Sequence, residues 1–431
     1  MRSTNTRNSA LNALKQVIIE HKSLDEALDL EEQKDLSFVK FLAYGVLREY
    51  ESLNIILNQL LNKPIKTKEI ELKLILLLGL FQLKNSHTPE HAAINETVEL
   101  TKLNHLDYAK GLVNAILRRF LREKTTLLAQ LQSTTITEHP QWLLEKIQAT
   151  YPNHWQTILK TNNMQAPMHL RVNQRKTTTI EYMELLRQQE ITGTIHAGLP
   201  DAITLNEAIN VAELPKFQEG WISVQDLAAQ KAAYLLDLKP GQKVLDVCAA
   251  PGGKSCHILE SCDIQLTSMD ISNRRLNLIN ENLKRLDLKA DVRQGDASRP
   301  QEFDTLFDRI LIDAPCSGTG VIRRHPDIKF LRQAKDIDQL HQLQVKIIVE
   351  SAKNLKPNGL LLYATCSILR EENDLTIKKA LEQLKLFSTT PINTIVPENI
   401  NAQTTAYGWQ ILPKEKGSDG FYYAILSKSS T

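Results

Sequence analysis

Two cysteines set the chemical question. Cys316 lies in DAPCSGTG, where Asp313 closes an apolar run and Pro315, Gly318 and Gly320 shape a loop that exposes the thiol. Cys366 closes a second apolar run, LLLYAT, and stands between Thr365 and Ser367. One such cysteine reads as a buried, inert thiol. Two at neighbouring strand ends, with an acid beside them, read as reactive groups. A metal centre is not expected, because further ligands would be needed and His325 is the only histidine nearby in the sequence. A cysteine of ordinary pKa, about 8.5, is only slightly ionised at neutral pH, so a nucleophile here needs a lowered pKa or a nearby proton acceptor.

A second cluster surrounds DVCAAPGGKSCHILE, where an apolar run enters a glycine-rich turn (Cys248, Ala249, Ala250, Pro251, Gly252, Gly253, Lys254) and then a helical stretch. Such a turn lets a ligand approach the backbone and meet a helix N-terminus. It is neither the GxGxxG of dinucleotide sites nor the GxxxxGK[ST] of phosphate loops, although GGKS imitates the end of the latter. The next run ends in Asp270, at a spacing suited to ribose hydroxyls, and RQGDASRP offers Asp296 to an adenine amino group. Each acid alone could cap a helix or turn. Three successive strand ends with acids beside one glycine turn describe an adenosine pocket without a pyrophosphate cradle, which fits S-adenosylmethionine better than NAD. A thiol beside that methyl donor suits methylation of a pyrimidine at carbon 5. Thiolate addition at carbon 6 makes carbon 5 nucleophilic, and a base must later remove its proton. Asp313 is placed to hydrogen-bond the ring.

The elements that must position these residues follow from hydrophobic period. After Gln225, the runs KVLDVC, QLTSMD, DRILID and GLLLYAT end in polar or acidic residues and are separated by helix-length stretches. They predict a doubly wound, Rossmann-like α/β domain over 226–431, with ligands at the carboxyl ends of the strands. Residues 1–130 read as all-helical, with Leu53, Ile56, Leu57, Leu60 and Leu61 forming an apolar stripe. Between them, 131–225 is expected to hold a linker, loose around Thr134 and Thr135, and a small module containing APMHLRVNQRK. Arg118, Arg119 and Arg122, with Arg171 and Arg175, are either solvated charges or phosphate contacts.

The 431 residues are 42% hydrophobic and 24% charged, an ordinary globular composition, and 52 basic against 50 acidic side chains leave a formal charge of +2. Attraction to nucleic acid must therefore come from local patches. Five cysteines without a CxxC pair, no apolar leader and no run long enough to span a bilayer predict a soluble cytoplasmic protein with free thiols and no membrane partner.

PEHAAINETVELTK (Pro89–Lys102) and KGLVNAILRRF (Lys110–Phe120) resemble the helical RNA-binding domain of the NusB antitermination factor family. FQEGWISVQDLAAQ, CAAPGGK, DAPCSGTG, RRHPDI and YATCSILREEN, in that order, resemble the RNA cytosine-5 methyltransferase family. The resemblance implies that Cys366 is the nucleophile and that Cys316 assists release. It assigns Cys248 to Lys254, Asp270, Asp296 and Asp313 to S-adenosylmethionine, with Lys254 also near the target base. The two domains together imply action on 16S ribosomal RNA, free or in an early small-subunit assembly; the same chemistry on transfer RNA, or a non-catalytic assembly role, are the alternatives, and a monomer is expected. DNA cytosine methyltransferases use the cysteine after a proline, which would exchange the roles of Cys316 and Cys366. Ser255 stands where the family usually has threonine, and Arg370 where it often has proline, which leaves the loop after Cys366 open.

Overall fold

The structure, a computed structural model, describes residues 2–29, 35–86, 88–133, 136–196, 198–390 and 402–430; Thr134 and Thr135 lie outside them. The chain forms two compact units, Met1–Met164 with Ile322–Gln333, and Gln165–Val321 with Ala334–Thr431.

The first unit is helical: α1 (Arg2–Ile18), α2 (Leu24–Asp29), α3 (Leu36–Arg48), α4 (Tyr50–Leu60), α5 (Ile70–Asn85), α6 (Glu90–Leu103), α7 (Lys110–Gln132), α8 (Gln141–Thr150) and α9 (Trp155–Asn162). Helix α5 is apolar on every side, and Leu72 and Leu74 to Leu83 are all buried, as a central helix requires. Its one polar residue in that stretch, Gln82, accepts a hydrogen bond from Arg7 Nε at 2.7 Å.

The second unit opens with a four-stranded sheet in the order β2-β3-β1-β4, all antiparallel: β1 (His169–Val172), β2 (Gly193–His196), β3 (Leu199–Leu205) and β4 (Ile222–Val224). Helix α10 (Thr179–Gln188), begun by a Thr178–Glu181 capping box, packs Tyr182 and Leu186 into the same core as Leu170 and Ile203. After α11 (Leu227–Leu235) comes a nine-stranded sheet in the order β11-β12-β13-β9-β8-β5-β6-β7, with β10 also on β13. Its parallel half contains β5 (Lys243–Val247), β6 (Gln265–Asp270), β7 (Asp291–Gln294), β8 (Phe307–Asp313) and β9 (Leu355–Thr365). The crossovers include α12 (Gly253–Ser261), α13 (Asn273–Leu286) and α15 (Ala334–Ala352), while α14 (Ile328–Leu331) belongs to the helical unit; α16 (Asp374–Leu381) follows β9. The antiparallel half is β10 (Phe387–Thr390), β11 (Ala402–Thr404), β12 (Trp409–Ile411) and β13 (Phe421–Lys428).

The doubly wound sheet expected from the sequence is present, and β5, between β6 and β8, is its switch point, where a crevice opens at the carboxyl ends. Sequence period places the helical region at 1–130, whereas the compact unit runs to Met164 and takes in α8 and α9, in which Leu143, Ile147, Ile158 and Leu159 are buried. Ile322–Gln333 joins that unit through Asp327, whose carboxylate accepts from Leu24 N at 3.0 Å, and through Phe330 packed edge-on to Tyr50. Among the described residues no helix is long and apolar enough to cross a membrane.

Candidate active site

Strands β8 and β9 are parallel neighbours, with Asp313 opposite Ala364, so the loops that leave them emerge side by side. Cys316 and Cys366 consequently meet with their sulfurs 3.4 Å apart, and both are free thiols. A fully buried carboxylate joins the two loops. Glu372 accepts from Ser317 N at 2.7 Å and Gln344 Nε2 at 3.2 Å on one oxygen, and from the Ser317 and Ser367 hydroxyls, each at 2.5 Å, on the other. Gly320 N donates to Cys366 O, and Gly420 N donates to Gly320 O, both at 2.9 Å. A Cβ on Gly320 would lie 2.2 Å from Gly420 O, so this crossing needs glycine. Asn373 ties Thr365, the Ser367 carbonyl and Gln410 together. Arg370 fits its loop as it stands: its side chain is exposed while its carbonyl accepts from Asn373 N and Leu375 N in the turn leading to α16.

Lys254 points at the same place. Its ammonium donates to Asp313 Oδ2 at 2.6 Å and lies 5.2 Å from the Phe421 ring centre. Burial alone would lower its pKa, but the charge and hydrogen bond of Asp313, with Cys366 adding, outweigh that and raise it, so Lys254 is a cation. The Cys316 thiol is held well above the ordinary thiol range, first by its hydrogen bond with Cys366, then by burial and by the charges of Cys366 and Glu372. It stays protonated and can donate to the Cys366 sulfur.

The glycine turn lies at the end of β5. Gly252 has φ +94°, a left-handed conformation that opens α12 and that a side chain would strain, and its Cβ would press on Ile279 at 3.2 Å. Asp270, 2% exposed, accepts from Ala250 N at 3.2 Å and Ser272 N at 3.1 Å, with Arg275 Nη2 3.7 Å away. Asp296 accepts from Ser298 N and Oγ and pairs with Arg299 at 3.0 Å, so it also shapes its own turn. Cys248 is driven up by burial and by Asp270, Asp313 and Asp246, which makes it a neutral thiol. Cys248, Asp246, Asp270 and Asp313 are thus within electrostatic reach of one another, whereas the contacts of Asp296 are those of its own turn. Ser255 retains the hydroxyl function expected of its position, donating to Asp246 Oδ2 at 2.5 Å.

The arginines proposed for RNA divide. Arg118 is exposed, with Asn114 Oδ1 3.0 Å from its Nε, and Arg122 is exposed. Arg119 is paired with Glu123 at 2.8 Å and donates to Leu60 O. The expectation for Arg171 requires correction: it is 1% exposed and forms a two-pronged pair with Glu260, both contacts 2.9 Å, so no phosphate can reach it. Arg175 is exposed but donates to the carbonyls of Glu260 and Cys262. Sequence reading missed Glu372 and Gln344, and it did not foresee that Asp246 would be buried. The pair of glutamates after YATCS was visible, but nothing in the spacing reveals that the second one turns inward. Among the described residues no group of acidic, histidine or cysteine side chains could hold a metal ion.

Comparison with known proteins decides the family. The model of 16S rRNA methyltransferase RsmB/F matches residues 233–427, that of the RsmF/B-like ferredoxin-like domain matches 139–212, and that of the NusB family matches 4–122. The ribosomal RNA small subunit methyltransferase B of Vibrio cholerae is 45% identical, covering 98% of both chains. The chain belongs to the 16S rRNA methyltransferase RsmB/F family. The ribosomal RNA small subunit methyltransferase B of Pasteurella multocida is 44% identical over 98% of this chain and 96% of its own. The crystal structure of PH0851 shares the fold across 99% of both chains, with a TM-score of 0.79 at 21% identity. The structure of NSun6 from Pyrococcus horikoshii with SFG covers 67% of this chain and 98% of its own, with a TM-score of 0.60 at 20% identity. In this RsmB/F family member the methyltransferase fold carries the paired cysteines, and a NusB-family domain precedes it.

Two consequences can be measured. Glu372→Ala leaves Ser317 N and two hydroxyls buried without their acceptor and should lower unfolding free energy by about 3–5 kcal/mol in urea titration; an unchanged midpoint would show that the carboxylate is dispensable. Burial pushes Asp246 up to about 7, with Asp313 and Asp270 adding to it, and its Oδ1 has no hydrogen-bond partner. A carboxyl raised on folding favours the folded state fully below its unfolded pKa of about 4 and loses that contribution as pH rises through the folded value. Asp246→Asn should therefore stabilise the protein relative to wild type more at pH 8 than at pH 4.5, by up to roughly 4 kcal/mol. An equal effect at both pH values would mean that Asp246 is ionised throughout.

Proposed function

We propose that this protein transfers a methyl group from S-adenosylmethionine to carbon 5 of a cytosine in 16S ribosomal RNA, with Cys366 as a covalent nucleophile. The observation that carries the reading is the 3.4 Å sulfur pair of Cys316 and Cys366 at adjacent strand ends, facing the Lys254–Asp313 ion pair. Membership of the RsmB/F family and the names of its relatives support the ribosomal RNA substrate.

The residues at the switch point fit the methyl donor. Cys248 to Gly253 form a turn whose glycine leaves the backbone open, and the Asp270 carboxylate has lone pairs beyond those used by Ala250 N and Ser272 N for ribose hydroxyls. Arg275, half exposed, stands 3.7 Å from the same carboxylate and donates to Ala250 O at 2.8 Å, at the margin of the ribose site. Asp296 and Asp313 complete the acidic margin. When bound, S-adenosylmethionine supplies an electrophilic methyl group.

The chain's own residues do the rest. An extruded cytosine enters the crevice, and Asp313, held by Lys254, hydrogen-bonds its edge. The Cys366 sulfur donates an electron pair to carbon 6, the carbon 5–carbon 6 double bond opens, and carbon 5 becomes nucleophilic. While Cys366 is a thiolate, Cys316 is kept protonated by it. Once the Cys366 sulfur is bonded to carbon its charge is gone, and the largest influence raising Cys316 weakens. Carbon 5 would take the methyl group as its bond to the donor's sulfur breaks; Cys316 can then release its own proton to solvent, and its thiolate takes the proton from methylated carbon 5. The electron pair of that C–H bond restores the double bond, and the bond from carbon 6 to Cys366 breaks. The substrate is free 16S ribosomal RNA or an early small-subunit assembly met by a monomer, with Arg118 and Arg122 among the phosphate contacts.

The two cysteines are separable by experiment. With undermodified 16S RNA and S-adenosylmethionine, Cys316→Ala should methylate once and remain attached, giving a slowly migrating adduct on a denaturing gel, whereas Cys366→Ala should give neither product nor adduct. The opposite pattern exchanges the roles, and methylation by both variants removes the covalent mechanism. For the cofactor, Asp270→Ala should weaken S-adenosylmethionine binding by about 1.5–3 kcal/mol in calorimetry. Unchanged affinity in a folded variant would make Asp270 a structural acid only.

A further inference from the structure

Helix α12, which begins in the glycine turn, is gripped along its length by the small four-stranded sheet. Arg171, on β1, lies at the centre of that grip. Its Nη1 donates to Gly253 O at 2.9 Å in the first turn of the helix, while Nε and Nη2 each reach Glu260 at 2.9 Å in the last. Gln225 holds the same Nη1. Midway along, His257 Nε2 meets Asp201 Oδ2 of β3 at 2.8 Å, and the other oxygen of Asp201 accepts from Tyr234. Beyond the end, Arg175 donates to Glu260 O at 3.2 Å and Cys262 O at 3.0 Å.

This is more than the packing of two layers requires. Arg171, Glu260, His257 and Asp201 are all at most 7% exposed, and burying such groups is tolerated only when geometry satisfies them. Burial and Arg171 lower the pKa of His257, and its hydrogen bonding to Asp201 keeps that acid low, so the contact is a neutral imidazole on an ionised carboxylate. The guanidinium is planar and rigid, and its prongs reach the two ends of one helix, fixing Gly253 relative to Glu260.

We propose that Arg171 is a positioning residue for the methyl-donor turn, and that the small sheet serves as a splint for the cofactor helix in addition to any contact it makes with RNA. The proposal rests on the reading of the Cys248–Lys254 turn as the S-adenosylmethionine site. Arg171 touches neither cofactor nor base; it acts through the Gly253 carbonyl and so through the backbone of the turn.

Calorimetry of the full chain with S-adenosylhomocysteine, alongside RNA binding over a range of salt concentrations, tests this. Arg171→Lys keeps the charge but cannot span both ends of the helix, and should weaken S-adenosylhomocysteine binding about five- to thirty-fold. KM for S-adenosylmethionine should rise in step, with kcat at saturation and the salt slope of RNA binding within twofold of wild type. Gln225→Met, which leaves the Arg171–Glu260 pair intact, provides a milder second variant with an expected loss of about two- to five-fold. Cofactor affinity unchanged in both folded variants overturns the proposal. So does a loss of RNA affinity with a shallower salt slope and unaltered cofactor binding, which would return Arg171 to RNA contact. Failure of the wild-type protein to bind S-adenosylhomocysteine would refute the cofactor site itself, and the assignment with it.

Discussion

The carboxylate of Glu372 is the constraint on which the active-site geometry depends. It has no exposure to solvent and is surrounded by four donors from three segments: the Cys316 loop, the Cys366 loop and α15. A charge buried so deeply is tolerable only while each donor stays in place. The loops therefore cannot drift apart without stranding it, and the separation of the two sulfurs is set by backbone and carboxylate together. Parallel pairing of β8 and β9 supplies the coarse alignment; the carboxylate supplies the fine one.

The charges follow from the same arrangement. Lys254 and Asp313 form a pair at the mouth of the cysteine site, and the protonated Cys316 donates toward Cys366. Asp313 keeps Lys254 a cation, and the hydrogen bond with Cys366 keeps Cys316 protonated, so a proton sits beside the Cys366 sulfur. The glycine turn depends on supports of a different kind, because the small sheet grips α12 from outside the nucleotide fold. The cysteine loops and the glycine turn are thus fixed by separate buried contacts, a carboxylate among neutral donors at the large sheet and an arginine–glutamate pair between the two sheets of the same unit.

How much of this could be read from the sequence depended on the range of the interactions. The strands of the parallel sheet announce themselves as short apolar runs ending in acids, and the two thiols stand at the ends of two such runs. The glycine turn was legible for the same local reason. Glu372 was not, since inward and outward glutamates look alike until the chain is folded; Glu371 beside it is the same residue type. Arg171 was misread because its partner Glu260 lies 89 residues away, and a strand arginine near Arg175 and Lys176 looks like a surface patch. Strand β13, buried over most of its length between β12 and β9, is plain in FYYAILSK only once the strand order is known.

The most direct test of the central claim is to map the covalent bond. RNA substrate carrying 5-fluorocytidine at the target position lacks the carbon 5 proton and should trap the attached state after methyl transfer. Proteolysis of the wild-type adduct followed by mass spectrometry should place the modified nucleotide on the peptide containing Cys366, with Cys316 unmodified. Attachment through Cys316, or a methylated product with no adduct, would contradict it.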